Sequence, residues 1–163
     1  MPDIFLLLGS NLGEREKHLR DAVNLIYSQI GPVDSFSSYY ETHAWGKTDQ
    51  PDFINQALKL NSKISPTKLL EEILSIENNL GRTREEKWGS RIIDIDILFY
   101  GSEVLNIPNL IIPHKLLHQR RFALMPLYEI APDFIHPVLN KSIKQILLQL
   151  TDPLSVKKLK NYI

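Results

Sequence analysis

The chain contains no cysteine. That excludes a disulfide scaffold, Cys-ligated zinc and thiol catalysis together, and it suits a reducing compartment. It also lacks an excess of either charge: Lys and Arg number 19, as do Asp and Glu. A general nucleic-acid or polybasic membrane binder needs a clear positive surplus, so both classes are disfavoured. No long hydrophobic run is present either. The longest near the start covers residues 4–8, against the roughly 18 residues of a membrane span, and Asp3 stands where a signal peptide is basic. These absences lead to the expectation of a cytoplasmic protein with no membrane or nucleic-acid partner.

What is present is an ordinary globular balance, 43% hydrophobic and 23% charged residues over 163 positions. A chain of that size can bury roughly two-thirds of its unfolded surface in one core. Residues 4–8 form a short apolar run closed by Gly9 and read as a buried strand. Leu19, Ala22, Val23, Ile26, Tyr27 and Ile30 then recur at helical spacing, with Gly31 and Pro32 as the stop. Residues 33–42, rich in β-branched and aromatic types, predict one strand. Residues 53–64 predict another, with Ile54, Leu58 and Leu60 on one face and Asn55, Ala57 and Lys59 on the other. Ser65-Pro66 opens a second helix, whose stripe Leu69, Ile73, Ile76 and Leu80 ends at Gly81. Residues 91–100 are the last strong strand.

This order, β-α-β-β-α-β, predicts an α+β, ferredoxin-like core with both helices covering an antiparallel sheet. The remaining third, cut by Pro108, Pro113, Pro126, Pro132, Pro137 and Pro153, is expected to form short pieces, with helices over 116–125 and 142–150. No repeat or linker divides the chain, so residues 1–163 are read as one domain.

The segment Ile93-Asp94-Ile95-Asp96-Ile97 carries the strongest chemical signal. On a strand, Asp94 and Asp96 share a face while the isoleucines share the other. Two carboxylates about 6 to 7 Å apart repel by roughly 2 to 3 kcal/mol at an effective dielectric near 20. A cation must offset this, either arginine or a metal, and a pair of aspartates without cysteine favours a hard ion such as Mg²⁺. A bare D-x-D is more often an exposed pair held by neighbouring arginine. Just upstream, residues 81–91 bring Arg82, Arg84, Lys87 and Arg91 together with Trp88 between two glycines. Such a loop can be merely solvated, because Glu85 and Glu86 neutralise half of it. Feeding directly into the aspartate strand, it favours a Mg-phosphate site. Gly9-Ser10-Asn11-Leu12-Gly13 lacks the phosphate-loop pattern and reads as a turn. His114, Arg120 and Arg121 could reach the same phosphates, although a lone histidine is more often a satisfied structural residue and nothing else in the residues selects the three; Phe53, Trp88 and Phe122 could stack on a flat ring, although most aromatics in a domain this size are core.

The run Lys87-Trp88-Gly89-Ser90-Arg91-Ile92-Ile93-Asp94-Ile95-Asp96-Ile97-Leu98 resembles the signature of the 6-hydroxymethyl-7,8-dihydropterin pyrophosphokinase family. Gly9-Ser10-Asn11, Gln50-Pro51-Asp52-Phe53-Ile54-Asn55, Glu77, Gly81-Arg82-Thr83-Arg84, Pro113-His114, Arg120-Arg121-Phe122 and Glu129-Ile130-Ala131-Pro132 support the likeness almost end to end. The resemblance implies transfer of pyrophosphate from ATP to a pterin alcohol, with AMP as the other product, in folate biosynthesis. It implies that Asp94 and Asp96 hold two Mg²⁺ ions, that Arg82 and Arg91 stabilise the transferring group, and that Glu77, Arg84, Lys87, Trp88, His114 and Arg120 serve ATP. The pterin is then expected between Phe53 and Phe122, with Asn55 and the main chain near Thr42 and Trp45 on its polar edge. The segments at 44–52 and 82–91 are expected to close on the substrates, and the protein to act as a monomer. Ser90 departs from the family's usual proline, and Lys115-Leu116-Leu117 from its usual Pro-Arg-Met. A D-x-D transferase acting on another acceptor lacks a use for Phe53, Asn55 and Phe122, and a sensing module has no need of the arginine loop.

Overall fold

The computed structural model describes residues 1–43, 51–81, 92–153 and 155–159. Their elements run β1 (Asp3–Ser10), α1 (Arg15–Gln29), β2 (Val33–Phe36), β3 (Tyr40–Thr42), β4 (Phe53–Asn61), α2 (Pro66–Asn79), β5 (Asp94–Tyr100), β6 (Leu105–Ile107), β7 (Leu110–Ile112), a 3-10 turn (Leu117–Gln119), α3 (Arg121–Ile130), α4 (Ile143–Leu148) and β8 (Val156–Lys158). The main sheet is ordered β5-β1-β4-β3-β8, with β2 also pairing β4, and its pairings are antiparallel. β4 thus lies between β1 and the strands that α1 connects to it, the arrangement expected of a split β-α-β unit.

The opening apolar run is continuous because β1 is central and buried on both faces. Ile4, Leu6 and Leu8 pack under α1 and α2 with Leu19, Ile26, Leu69 and Ile73. Phe5 and Leu7 point the other way, into a second core with Phe99, Leu124, Leu127 and Ile146. There Phe5, Phe99 and Phe134 contact one another at centroid separations of 4.7 to 6.0 Å. The sheet is therefore the middle of three layers, with α1 and α2 on one face as the element order led one to expect and α3 and α4 on the other. No helix among the described residues is long and apolar enough to cross a membrane.

The helix ends follow their sequence signals. Ser65 Oγ accepts from the Lys68 amide at 3.3 Å ahead of Pro66, and Gly81 takes φ +86° after α2, a left-handed conformation that glycine adopts without a Cβ penalty. The α1 stripe is narrower than expected, for Tyr27 is 63% exposed.

Other expectations are corrected. Residues 33–42 form two strands. Ser37 interrupts the ladder: its Oγ accepts the Ala57 amide at 2.9 Å and its carbonyl accepts Gln56 Nε2 at 2.9 Å. The third strand ends at Asn61, and the last strong strand starts at Asp94. The prolines do not all break the final third, since α3 runs through Pro126. Proline removes one bond, to the carbonyl of Phe122 four residues back, at a cost of about 3 kcal/mol in an isolated helix. Here the ring is buried beside Ala123, Leu124 and Leu127, and the Ala131 amide still reaches Leu127 O at 2.8 Å. Pro108-Asn109 likewise makes the two-residue turn of the β6-β7 hairpin, with Asn109 at φ +68° as a type II turn requires.

Candidate active site

β5 is an edge strand, and what covers its open side builds the site. Buried Glu77, near the end of α2, accepts the Ile95 amide through Oε2 at 2.8 Å. Farther along, the His114 amide donates to Leu98 O at 3.1 Å. Between and around these contacts lies a cavity of about 540 Å³, whose polar lining includes Glu77, Asp94, Asp96, His114, Lys115 and Arg120. Five residues assigned to ATP or metal from the sequence, Glu77, Asp94, Asp96, His114 and Arg120, are thereby brought together from four parts of the chain.

Period-two alternation on β5 keeps Asp94 and Asp96 on one face, opposite Gly9 and Leu7 of β1, while Ile93, Ile95 and Ile97 enter the first core. The expected offsetting cation is Arg120, only 9% exposed. Burial lowers the pKa of its guanidinium, and the charges of Asp96 and Asp94 raise it. Its Cζ also stands 5.4 Å from the centroid of the Phe122 ring. His114 is held neutral, its pKa pushed down to about 4, first by burial and then by Arg120, against an opposing pull from Asp94. Its Nδ1 accepts the Leu116 amide at 3.2 Å. A neutral ring accepting at Nδ1 carries its proton on Nε2, so His114 offers one uncharged donor.

Among the described residues no cluster of three or more His, Cys, Asp or Glu side chains could cage a metal. Two carboxylates on one face are what remains. That donor set fits Mg²⁺, which typically takes one or two carboxylates and completes its shell with phosphate and water.

The same face continues across β1 and β4. Asp94 is opposite Gly9, Gly9 opposite Asn55, and Asn55 opposite Tyr40, while Phe53 is opposite Thr42. Gly9 lies within β1, next to its last residue Ser10, and neither belongs to the turn read from the sequence. A Cβ on Gly9 would stand 2.6 Å from Asn55 Nδ2 and 3.6 Å from Phe53 Cδ1. Asn55 is buried; its Nδ2 donates to Leu8 O at 3.3 Å, and its Oδ1 has no hydrogen-bond partner among the described residues. A buried acceptor left unsatisfied costs about 1 to 3 kcal/mol, which a ligand N–H would recover. Thr42 Oγ1 donates to Ser155 O at 3.0 Å, and Thr42 pairs with Phe53 of β4 and Val156 of β8. α3 packs against this face and carries half-buried Phe122 on the second core.

Arg121 departs from its neighbour. Its amide donates to Asp152 Oδ2 at 3.0 Å and its Nη2 to Asp152 O at 3.4 Å, so it secures the start of α3 and does not line the cavity. Trp45, Arg82, Arg84, Lys87, Trp88 and Arg91 lie outside the described residues, as do most of the two segments expected to close. Sequence reasoning missed the apolar wall of Leu70 and Leu74 and the hairpin residues Asn109 to Ile111. Pro108-Asn109 was a turn signal that could have placed the hairpin.

Known proteins resemble the chain in sequence and in fold. Residues 5–132 match the family model described as 7,8-dihydro-6-hydroxymethylpterin-pyrophosphokinase. Curated relatives named 2-amino-4-hydroxy-6-hydroxymethyldihydropteridine pyrophosphokinase include one from Haemophilus influenzae, 40% identical over 86% of this chain and 91% of its own length. Another, from Methylorubrum extorquens, is 39% identical over 97% and 99%, and one from Bacillus subtilis is 44% identical over 77% and 76%. Among solved structures, Plasmodium falciparum HPPK-DHPS with pteroate superposes with a TM-score of 0.75 over 90% of this chain at 18% identity. That likeness concerns the fold, and this chain spans 42% of that longer one.

Proposed function

Since the chain belongs to the 7,8-dihydro-6-hydroxymethylpterin-pyrophosphokinase family, we propose how its residues divide the work of that family's reaction. The enzyme transfers pyrophosphate from ATP to the hydroxymethyl group of 6-hydroxymethyl-7,8-dihydropterin, giving AMP and the pterin diphosphate, a step of folate biosynthesis. Mg²⁺ accompanies ATP generally in this family.

The observation that carries the assignment is the row Asp94, Gly9, Asn55 across three paired strands. Neighbouring strands are spaced by about 4.8 Å, so the carboxylate and the unsatisfied amide oxygen stand on backbones roughly 10 Å apart. Gly9 between them has no side chain, and the Asn55 amide fills the place of its Cβ, which lets Asn55 sit at the boundary between the two halves of the site. Asn55 Oδ1 accepts from a pterin N–H, Phe53 and Phe122 stack on the two ring faces, and the main chain near Thr42 and Trp45 reads the polar edge. On the other side, the cavity along β5 takes the nucleotide, with Arg120 and the Nε2–H of His114 donating to phosphate oxygens. Glu77, Arg84, Lys87 and Trp88 complete the ATP site, and Arg82 and Arg91 stabilise charge on the transferring group.

Asp94 and Asp96 are the residues that hold Mg²⁺, two ions in this reading. Bound there, the metal would neutralise charge on the phosphate oxygens. The pterin oxygen forms its bond to the β-phosphorus as the bond to the oxygen of AMP breaks. The protein's part is to align these atoms and exclude water, since phosphoryl transfer needs little covalent help from side chains. Pairing of β8 with β3 supports reading residues 1–163 as one domain. The assay that tests the reading supplies ATP, Mg²⁺ and the pterin and separates AMP from ADP. AMP formed only with pterin is the expected result; ADP, or ATP loss without pterin, overturns it.

A further inference from the structure

Glu129 opens the segment Glu129-Ile130-Ala131-Pro132 that supports the family likeness, and the reaction as described gives it no task. It lies near the end of α3, seven residues after Phe122. Phe122, Pro126 and Glu129 follow one another at i, i+4 and i+7 and so share a helix face. At the Glu129 end, the carboxylate collects donors from a different part of the chain. The Ser38 amide reaches Oε2 at 3.1 Å and Oε1 at 3.2 Å, Ser38 Oγ donates to Oε2 at 3.2 Å, and Tyr40 Oη donates to Oε1 at 2.7 Å. Lys158 Nζ of β8 approaches Oε1 at 3.8 Å.

Tyr40 is 4% exposed and faces its β4 partner Asn55 across the ladder. Burial and the Glu129 carboxylate both raise the pKa of its phenol, which stays a donor at neutral pH. β3 has only three residues, paired with β4 on one side and β8 on the other. One end is tied to β8 through Thr42 and Ser155. The other end is tied to α3 through Glu129.

We propose that Glu129 is a positioning residue for the pterin: by fastening α3, which carries Phe122, to β3, which carries Thr42 and flanks Asn55, it sets the width of the cleft between helix wall and sheet floor. It touches neither substrate. The inference rests on the pterin site proposed above. The nucleotide half of the site is built chiefly on β5, three strands from β3 in the sheet; its Arg120 caps the start of α3, an end that Arg121 fixes separately to Asp152.

The test measures binding of 6-hydroxymethyl-7,8-dihydropterin by its own fluorescence, and of a non-hydrolysable ATP analogue by calorimetry, to wild type and variants. Glu129→Ala is expected to weaken pterin binding by about tenfold, the scale of one charged hydrogen bond, with nucleotide affinity kept within about twofold. In turnover, KM for the pterin rises and kcat stays close to wild type. Glu129→Gln, which keeps an acceptor oxygen for Tyr40 and Ser38, recovers most of the affinity. Unchanged pterin affinity in Glu129→Ala, or equal loss for both ligands, overturns the proposal. Should circular dichroism show Glu129→Ala unfolded, Tyr40→Phe decides: a pterin-selective loss supports the tie, and wild-type affinities contradict it. A wild-type protein that fails to bind the pterin at all overturns the functional reading itself, a result distinct from any difference between variants.

Discussion

Asp94 and Asp96 can be judged apart from the fold because their strand is anchored by its isoleucines, not by them. Ile93, Ile95 and Ile97 are each at most 7% exposed in the first core, whereas the carboxylates face the cavity. Asp96→Ala is therefore expected to lower kcat by about 10²-fold or more at saturating Mg²⁺ while circular dichroism and the unfolding midpoint change little. Retained turnover removes the metal assignment. His114 ties the site to pH. Its pKa is about 4 in the folded protein against the ordinary 6.5, so between those values the unfolded chain binds a proton that the folded one does not. Stability contributed by the neutral ring is full above about pH 6.5 and is lost as pH falls toward 4, by about 3 kcal/mol in all. Urea unfolding from pH 7 to pH 4 should show this loss, and His114→Asn should flatten it; buried His136, also lowered by burial, leaves a residual slope in both proteins. The aspartate pair was legible in sequence because alternation alone puts both carboxylates on one face. Asn55 was not, since its significance is a buried oxygen without a donor among the described residues, a fact of three-dimensional packing. It entered only through the family likeness.

Elements carry these residues, and where they were misread the reason is tertiary. β1 and α2 followed their patterns, a short apolar run and a capped stripe, because both depend on local signals. The break between β2 and β3 depends on Ser37 bonding to Gln56 and Ala57, about twenty positions away, which no local window contains. The passage of α3 through Pro126 depends on the second core that buries it. Gly9 shows the same lesson in the functional direction. As a residue of a strand end it has no special backbone need, yet its missing Cβ is where Asn55 lies. Gly9→Ala is expected to displace only the amide end of Asn55, sparing the fold but weakening pterin binding by about tenfold or more, with ATP-analogue binding retained. Wild-type pterin affinity in that variant would mean that Asn55 does not read the ring.

For the molecule as a whole, 19 cationic and 19 anionic side chains conceal an uneven distribution. Arg120 faces Asp94 and Asp96, as the sequence led one to expect, whereas Arg121 is spent on Asp152. One sheet face serves both substrates: nucleotide along the β5 edge, pterin over β4 and β3, and Gly9 between. The central claim is that a pyrophosphoryl group, and not a single phosphoryl group, crosses that gap. Incubating the protein with Mg²⁺, the pterin and ATP labelled at the β-phosphorus tests it most directly. The account expects the label in the pterin product and AMP unlabelled; label recovered in ADP would contradict it.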